Sequence, residues 1–177
     1  MKFLAFDPSM SCTGWALLDG IPAYDGVYLA GGYIIPDAND DLCERLKDLA
    51  GGVVARARES KCNRIIVETP AATGRARGAQ RFRGTAMTIP IYGAAVGACI
   101  AGLAAAQIVR VEGVPSDEWT RHRVPSCKDS AKAARVEYVC RTYGLAAGSL
   151  GPKTYAGNVA DAVLIARWAI WRERGLV

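Results

Sequence analysis

Runs of apolar residues bounded by turn residues divide the chain into short strands and longer helices. Short runs of β-branched, aromatic and aliphatic residues are typical of strands. They predict strands at residues 2–7, 13–19, 26–35, 64–69 and 108–113. Asp-Gly pairs at residues 19–20 and 25–26 punctuate the connection between the second and third strands. Short connections between the first three strands predict an antiparallel meander.

Apolar residues spaced three and four apart predict the helices. In residues 39–60 this spacing places Leu42, Leu49 and Val53 on one face. Further helices are predicted at residues 86–109, 128–143 and 157–174. The stretch 70–84 has neither pattern and is predicted to be a loop. The element order βββαβαβαα predicts one α/β domain over residues 1–177, with a mixed sheet and helices on both faces.

The central helix raises the question of a membrane span. Residues 86–109 carry no charge, and a stretch of that length can cross a bilayer. Alanine and glycine dominate it, however, and Pro90 interrupts its start. We therefore expect a helix buried inside a soluble domain. Its small residues, such as Gly97 and Ala101, allow close approach of the sheet or of a second copy of the helix in a two-fold dimer.

Composition narrows the possible classes of function. Hydrophobic residues make up 51% of the 177 residues, as in folded proteins, and the net charge of +5 favours a polyanionic partner. Six cysteines without a CxxC pair, and the single histidine His122, argue against a zinc site of cysteine and histidine. The first apolar run is too short for a signal peptide, so we expect a cytosolic protein with reduced thiols.

Acidic residues occur where the predicted elements begin or end. Asp7 ends the first strand, and Glu68 lies near the end of the fourth. Asn158 and Asp161, three residues apart on the last helix, share a face near its predicted start. Carboxylates without histidine or cysteine suit Mg²⁺ or Mn²⁺. Two such ions, about 3.5–4 Å apart, can clamp the attacking and leaving oxygens of a phosphodiester.

Each of these residues also has a purely structural interpretation. Asp7 before Pro8 can form an Asx-turn, and Glu68 can be a solvated strand end. Asn158 can cap the last helix, with Asp161 favoured in its first turn by the helix dipole. Their joint occurrence at strand ends and one helix start favours a shared site.

Three segments carry a resemblance to a known family. The segments FDPSMSCTGWALLD, IIVET and GNVADAVLIARW resemble motifs of the RuvC Holliday junction resolvases, especially the compact bacteriophage forms. The resemblance implies an RNase H-like fold and a homodimer that makes paired nicks in branched DNA. It implies Asp7, Glu68 and Asp161 as catalytic metal ligands, with two Mg²⁺ or Mn²⁺ ions per site. We expect hydrolysis to leave 5′-phosphate and 3′-hydroxyl ends.

The chain departs from the family pattern at two places. Asn158 matches a position where the family usually has a fourth acidic or metal-binding residue, and an amide can ligate but adds no charge. After Glu68, where many members have a DNA-stacking aromatic, this chain has Thr69-Pro70-Ala71, and the nearest aromatic downstream is Phe82. Metal binding and junction recognition can therefore differ in detail.

Two basic groups are candidate DNA contacts. The loop at 70–84 contains four arginines and Phe82 but no acid; the arginines are Arg75, Arg77, Arg81 and Arg83. Arginines bind phosphates through two parallel hydrogen bonds, and Phe82 can stack on an unpaired base. A solvated flexible loop is the alternative. The resemblance implies further phosphate contacts from Arg121, Lys128 and Lys132, although neighbouring acids also allow an ordinary mixed surface.

Other functions on the same scaffold make different demands. Sugar kinases and actin-like ATPases need two such domains and a glycine-rich phosphate turn after the first acid, and this chain has neither. A branched-DNA-binding module without activity is favoured by Asn158 alone. A nuclease for flaps, forks or RNA–DNA hybrids also remains open, because base-independent phosphate contacts look alike in sequence.

Overall fold

The computed structural model describes residues 1–20, 24–70, 88–108, 110–121 and 132–177. These residues form five strands and five helices. In chain order they are β1 Lys2–Asp7, β2 Thr13–Asp19, β3 Val27–Ile34, α1 Leu42–Ser60, β4 Arg64–Thr69, α2 Thr88–Ala105, β5 Val111–Pro115, α3 Ser116–Arg121, α4 Lys132–Tyr143 and α5 Lys153–Glu173. Most of the basic loop predicted at 70–84 lies outside the described residues, as do His122 and Lys128.

The five strands form one mixed sheet in the order β3-β2-β1-β4-β5. β1, β2 and β3 are joined antiparallel, whereas β4 pairs parallel with β1 and β5 pairs parallel with β4. The predicted fold class is therefore confirmed: three antiparallel strands are followed by two parallel ones. Parallel pairing brings the carboxyl ends of β1 and β4 to the same edge of the sheet.

Both faces of the sheet are covered by helices. Because side chains alternate along a strand, Phe3 and Ala5 of β1 pack towards α4 and α5, while Leu4 and Phe6 pack towards α1 and α2. β1 is central and buried on both sides, which explains its continuous apolar sequence. None of the described helices, α2 included, is both long and apolar enough to cross a membrane.

The structure corrects the starts of two predicted elements and adds one helix that was not predicted. α5 begins at Lys153, four residues before the predicted start. Its N-cap is Pro152, and the sequence did not reveal this start because no side chain caps it. β5 begins at Val111 rather than at residue 108, because Gln107 and Arg110 have positive φ and turn the chain first. The short helix α3 was not predicted, since its six residues are too few to show a helical period.

α5 passes unusually close to the sheet. Fifteen consecutive residues, from Ala156 to Ile170, are buried, so the helix has no solvent-facing side over this length. The approach is closest at Gly14 of β2, where a Cβ atom would lie 2.1 Å from the carbonyl oxygen of Asn158. The missing side chain of Gly14 therefore sets the depth at which α5 carries its polar residues.

Candidate active site

Two carboxylates lie side by side at the ends of neighbouring parallel strands. In the parallel register Phe6 is paired with Val67. The residues that follow them, Asp7 and Glu68, therefore lie next to each other. By the alternation of side chains, Asp7 points to the same face as Ala5, and Glu68 to the same face as Ile66. That face is the one covered by α5. The sequence-based expectation that these two acids meet is therefore met by the geometry of the sheet.

The environment of Asp7 disfavours its charged form. Burial is the largest cause of a pKa well above its usual value, followed by the negative charge of Glu68 and a hydrogen bond with that carboxyl. Asp161 raises the pKa of Asp7 further, and Lys132 lowers it. Two adjacent carboxyl groups with too little positive charge favour sharing a proton or binding a cation.

Glu68 is held by a tryptophan from the unpredicted helix α3. The indole Nε1 of Trp119 donates a hydrogen bond to Oε1 of Glu68 over 3.1 Å, and both residues are buried. Trp119 is 4% exposed and belongs to the core. Its contact with Glu68 was not predicted, because nothing in the local sequence links residues 51 positions apart. The bond orients the carboxylate towards Asp7.

Asn158 and Asp161 lie well inside α5 rather than in its first turn. With the helix beginning at Lys153, Asn158 cannot be its N-cap, so that structural interpretation of the amide is wrong. The two side chains are still three residues apart and share one helix face. Both are buried, and both face cationic residues of α4.

Asp161 forms a buried ion pair with Arg135. Nη2 of Arg135 donates to Oδ2 of Asp161 over 2.9 Å, and Nε lies 2.5 Å from Oδ1. The pKa of Asp161 is raised to about 6, mainly by burial and in part by the negative charge of Glu68, against the opposing charges of Arg135 and Lys132. The carboxylate thus meets its counter-charge from a side chain of the protein itself.

Asn158 is fixed by two contacts. Its amide nitrogen donates to the carbonyl oxygen of Cys12 over 2.6 Å, and its Oδ1 accepts a hydrogen bond from the ammonium of Lys132. The stem of Lys132 crosses Gly157, where a Cβ would lie 2.6 Å from its Cδ. Asn158 therefore presents its oxygen to a cation, as expected of a ligand, but that cation is an ammonium.

A cleft opens over the carboxylates on both sides of the loop at Ser9–Ser11. On one side a cavity of about 470 Å³ is lined by Asp7, Lys132 and Asn158, among others. On the other a cavity of about 600 Å³ is lined by Glu68 and Tyr92. The sequence did not single out Tyr92, whose aromatic side chain lines the same cavity as Glu68.

The predicted ligands do not all converge on one point. In the part of the chain that the structure describes, no three histidine, cysteine, aspartate or glutamate side chains are arranged to hold a metal ion. Asp7 and Glu68 form a pair, while Asp161 and Asn158 face Arg135 and Lys132. The four-residue ligand set therefore remains a prediction.

The predicted DNA contacts divide into described and undescribed residues. Lys132 lines the cleft beside Asp7. Arg121 is exposed and pairs with Asp117 one turn earlier in α3, over 2.8 Å. The remaining predicted contacts lie outside the described residues; they are Arg75, Arg77, Arg81, Phe82, Arg83 and Lys128.

Arg135 is a site residue that the sequence alone did not single out. Arginine side chains usually lie at the surface, yet Arg135 is 8% exposed. The available signal was its position four residues before the buried Val139, on the inward face of α4. An arginine on the apolar face of a helix requires a buried partner, and that partner is Asp161.

Comparison with known proteins identifies the fold of the chain. No protein-family model matches the chain. Over its length the fold matches that of Thermus thermophilus RuvC, with a TM-score of 0.69, 20% identity, and 99% and 98% of the two chains covered. RuvC of T. thermophilus in complex with a Holliday junction substrate matches at a TM-score of 0.70 and 18% identity, covering 99% and 97%. The chain therefore has the RuvC type of the RNase H-like fold.

A sequence relative points to the same class. The chain is 34% identical over 87 residues to the crossover junction endodeoxyribonuclease RuvC of Paramagnetospirillum magneticum. The match covers 44% of this chain and spans about half the length of that relative, 52%. The resemblance expected from the three sequence segments is confirmed: the protein is similar to RuvC in sequence and in fold.

Proposed function

We propose that this protein is a structure-selective DNA endonuclease that cuts four-way junctions by metal-dependent hydrolysis. The observation that carries the proposal is the pair Asp7 and Glu68, at adjacent parallel strand ends in an open cleft. Its support comes from the similarity to RuvC of T. thermophilus, which has been solved in complex with a Holliday junction substrate. The products we expect are 5′-phosphate and 3′-hydroxyl ends.

The donor chemistry at the strand ends fits a hard divalent cation. Asp7 and Glu68 offer only oxygen atoms, and burial, followed by the negative charge of Glu68, raises the pKa of Asp7. Mg²⁺ and Mn²⁺ prefer such ligands. When bound, the ion would supply a nucleophilic hydroxide near neutral pH and stabilise charge on the phosphate.

The residues around the pair have separate proposed roles. Trp119 orients Glu68 through its hydrogen bond, so that the carboxylate keeps its position beside Asp7. Lys132 is exposed in the same cleft and is proposed to bind the phosphate on the cut strand. Arg135 keeps Asp161 in place inside α5.

Binding to DNA is proposed to extend beyond the cleft. Arg75, Arg77, Arg81 and Arg83 follow Glu68 within 15 residues, so they can reach DNA that enters beside the carboxylates. Phosphate contacts of this kind would bind any duplex, and the branch itself would be selected by shape. Phe82 is proposed to stack on an unpaired base.

A homodimer would supply one site for each of the two strands that must be nicked. On α2, Gly102 packs against Ala50 of α1, whereas a Cβ at Gly93 or Gly97 would meet nothing within 4 Å. This outward face of small residues is proposed as the place where a second copy packs. We expect the dimer to act in the cytosol.

The proposal is tested by incubating the protein with a synthetic four-way junction and with linear duplex, in Mg²⁺, Mn²⁺ or EDTA. Paired nicks on the junction alone, dependent on metal and sealed by ligase, are expected. Similar cutting of forks, flaps or RNA–DNA hybrids would keep the nuclease but reject junction selectivity.

A second candidate is a branched-DNA-binding protein without activity. The observation that favours it is the ion pair between Arg135 and Asp161, which occupies a predicted metal ligand. Tight, junction-selective binding without cleavage under every metal condition would establish this alternative. Cleavage that is abolished in the Asp7→Asn variant would exclude it.

A further inference from the structure

Helix α4 supplies two cationic side chains at the spacing of the two polar side chains on α5. Lys132 and Arg135 are three residues apart, as are Asn158 and Asp161. Lys132 contacts Asn158, and Arg135 contacts Asp161, which gives two parallel contacts between the helices. The α5 side of the candidate site is thus already lined by positive charge from the chain.

Positive charge is distributed unevenly between the α5 side and the strand side of the site. With all three carboxyl groups ionised, Asp7, Glu68 and Asp161 together with Lys132 and Arg135 give a net charge of −1. On the α5 side, Asp161 is neutralised by Arg135, and Asn158 has no charge to neutralise. On the strand side, Asp7 and Glu68 face each other. The charge of Lys132 lowers the pKa of Asp7, against the effect of burial, which raises it. One divalent ion bound by this pair would balance its charge.

We infer that Arg135 takes the place of a second metal ion, so that the site holds one divalent cation on Asp7 and Glu68. This inference rests on the proposed function and departs from the two ions that the sequence resemblance implies. The guanidinium lies within ion-pair distance of both oxygens of Asp161, so the charge of that carboxylate is already balanced by the protein without a metal ion. A fixed cation can stabilise negative charge at a phosphate without exchange of ligands.

The geometry also explains why Arg135 is an arginine. Its planar group reaches both oxygens of Asp161 at once, which a lysine ammonium cannot do with the same geometry. Both side chains are about nine-tenths buried. Removal of the guanidinium would leave Asp161 as a buried carboxylate without its counter-charge, and a second divalent ion would then balance that charge.

The test counts Mn²⁺ ions bound to the DNA-free protein, by equilibrium dialysis. We expect one tightly bound ion per chain in the natural protein and two in Arg135→Gln. Arg135→Lys retains the charge and is expected to hold one. The matched control is Arg141→Gln, which changes an exposed arginine of the same helix that contacts Tyr138 instead of the site.

Two tight ions in the natural protein would overturn the inference, and this result needs no variant to fold. Arg135→Gln that folds, by circular dichroism, and still binds one ion would also overturn it. Junction cleavage by the natural protein is measured in parallel. Cleavage with two bound ions rejects the role of Arg135 alone, whereas no cleavage and no bound ion rejects the proposed function as well.

Discussion

A Cβ atom on Gly14 would lie 2.1 Å from the carbonyl oxygen of Asn158, so the strand and the helix that carry the site touch backbone to backbone. Gly14→Ala must therefore push α5 away from β2. We expect the free energy of unfolding to fall by about 1–3 kcal/mol, as for other overpacked positions. Urea denaturation followed by circular dichroism measures the change.

The matched control for this change is Gly51→Ala. Gly51 lies in α1, where an added Cβ meets nothing within 4 Å. Alanine in a helix interior is favoured over glycine by about 1 kcal/mol, so this variant should be more stable than the natural protein. Equal effects of the two substitutions would contradict the close approach of α5.

Asp7→Asn tests whether the carboxylate pair is the reaction centre. The amide removes a negative charge needed by a cation but leaves the basic surface intact. We expect loss of junction cleavage with unchanged junction affinity, measured by gel cleavage and fluorescence anisotropy. Loss of binding together with cleavage would mean that Asp7 has a structural role.

The raised pKa values of Asp7 and Asp161 predict a pH dependence of stability without metal. Both groups bind protons more tightly in the folded state than in the unfolded chain, because burial and neighbouring carboxylates disfavour their charge. The free energy of unfolding should therefore fall as pH rises, for Asp161 between its usual pKa of 3.8 and about 6.

This dependence is measured by urea denaturation in EDTA across that pH range. Asp7→Asn should flatten the curve, because one of the two titrating groups is removed. Saturating Mn²⁺ should raise stability most at the upper end, where the carboxylates are charged. Stability that rises with pH in EDTA would count against the raised pKa values.

Trp119→Phe isolates the hydrogen bond to Glu68. Phenylalanine retains most of the buried ring but cannot donate to Oε1. Loss of a bond that orients a metal ligand typically costs about 10–100-fold in metal affinity or activity, and we expect a change of that size in the Mn²⁺ concentration for half-maximal cleavage. Trp171→Phe is the control, because Trp171 donates to Asp25 instead. Equal effects of both changes would indicate a general packing effect.

Replacement of the four loop arginines by alanine tests the predicted DNA surface. Arg75, Arg77, Arg81 and Arg83 should each release counterions when they bind a phosphate. The log–log slope of affinity against salt should become shallower by about 0.9 for each phosphate that the variant no longer neutralises. Arg56→Ala with Arg58→Ala, on α1, serves as a control. An unchanged slope would place the DNA surface elsewhere.

Gly97→Glu tests the proposed dimer. The position is exposed on α2 with open space around it, so the isolated chain should accept the side chain. Two glutamates facing each other across a two-fold axis would repel, and we expect monomers by light scattering together with loss of paired nicks. A natural protein that is monomeric with and without DNA would reject the dimer itself.

The local sequence predicted the bounds of an element correctly where the residues of that element form a clear pattern. The continuous apolar runs KFLAFD and RIIVET predicted β1 and β4 with their observed bounds. Because neighbouring parallel strands end at one edge, this also predicted that Asp7 and Glu68 would meet. Element starts were missed where no side chain marks them, as at the uncapped start of α5 and in the short helix α3.

The sequence by itself determined the fold class, the central carboxylate pair and the basic composition that favours a nucleic-acid partner. Only the tertiary structure decided what surrounds that pair. Trp119 reaches Glu68 across 51 residues, and Arg135 reaches Asp161 across 26. Such contacts depend on how α3 and α4 pack against the sheet and α5. Hydrophobic periodicity reports which face of a helix is buried, but not which polar partner that face contacts.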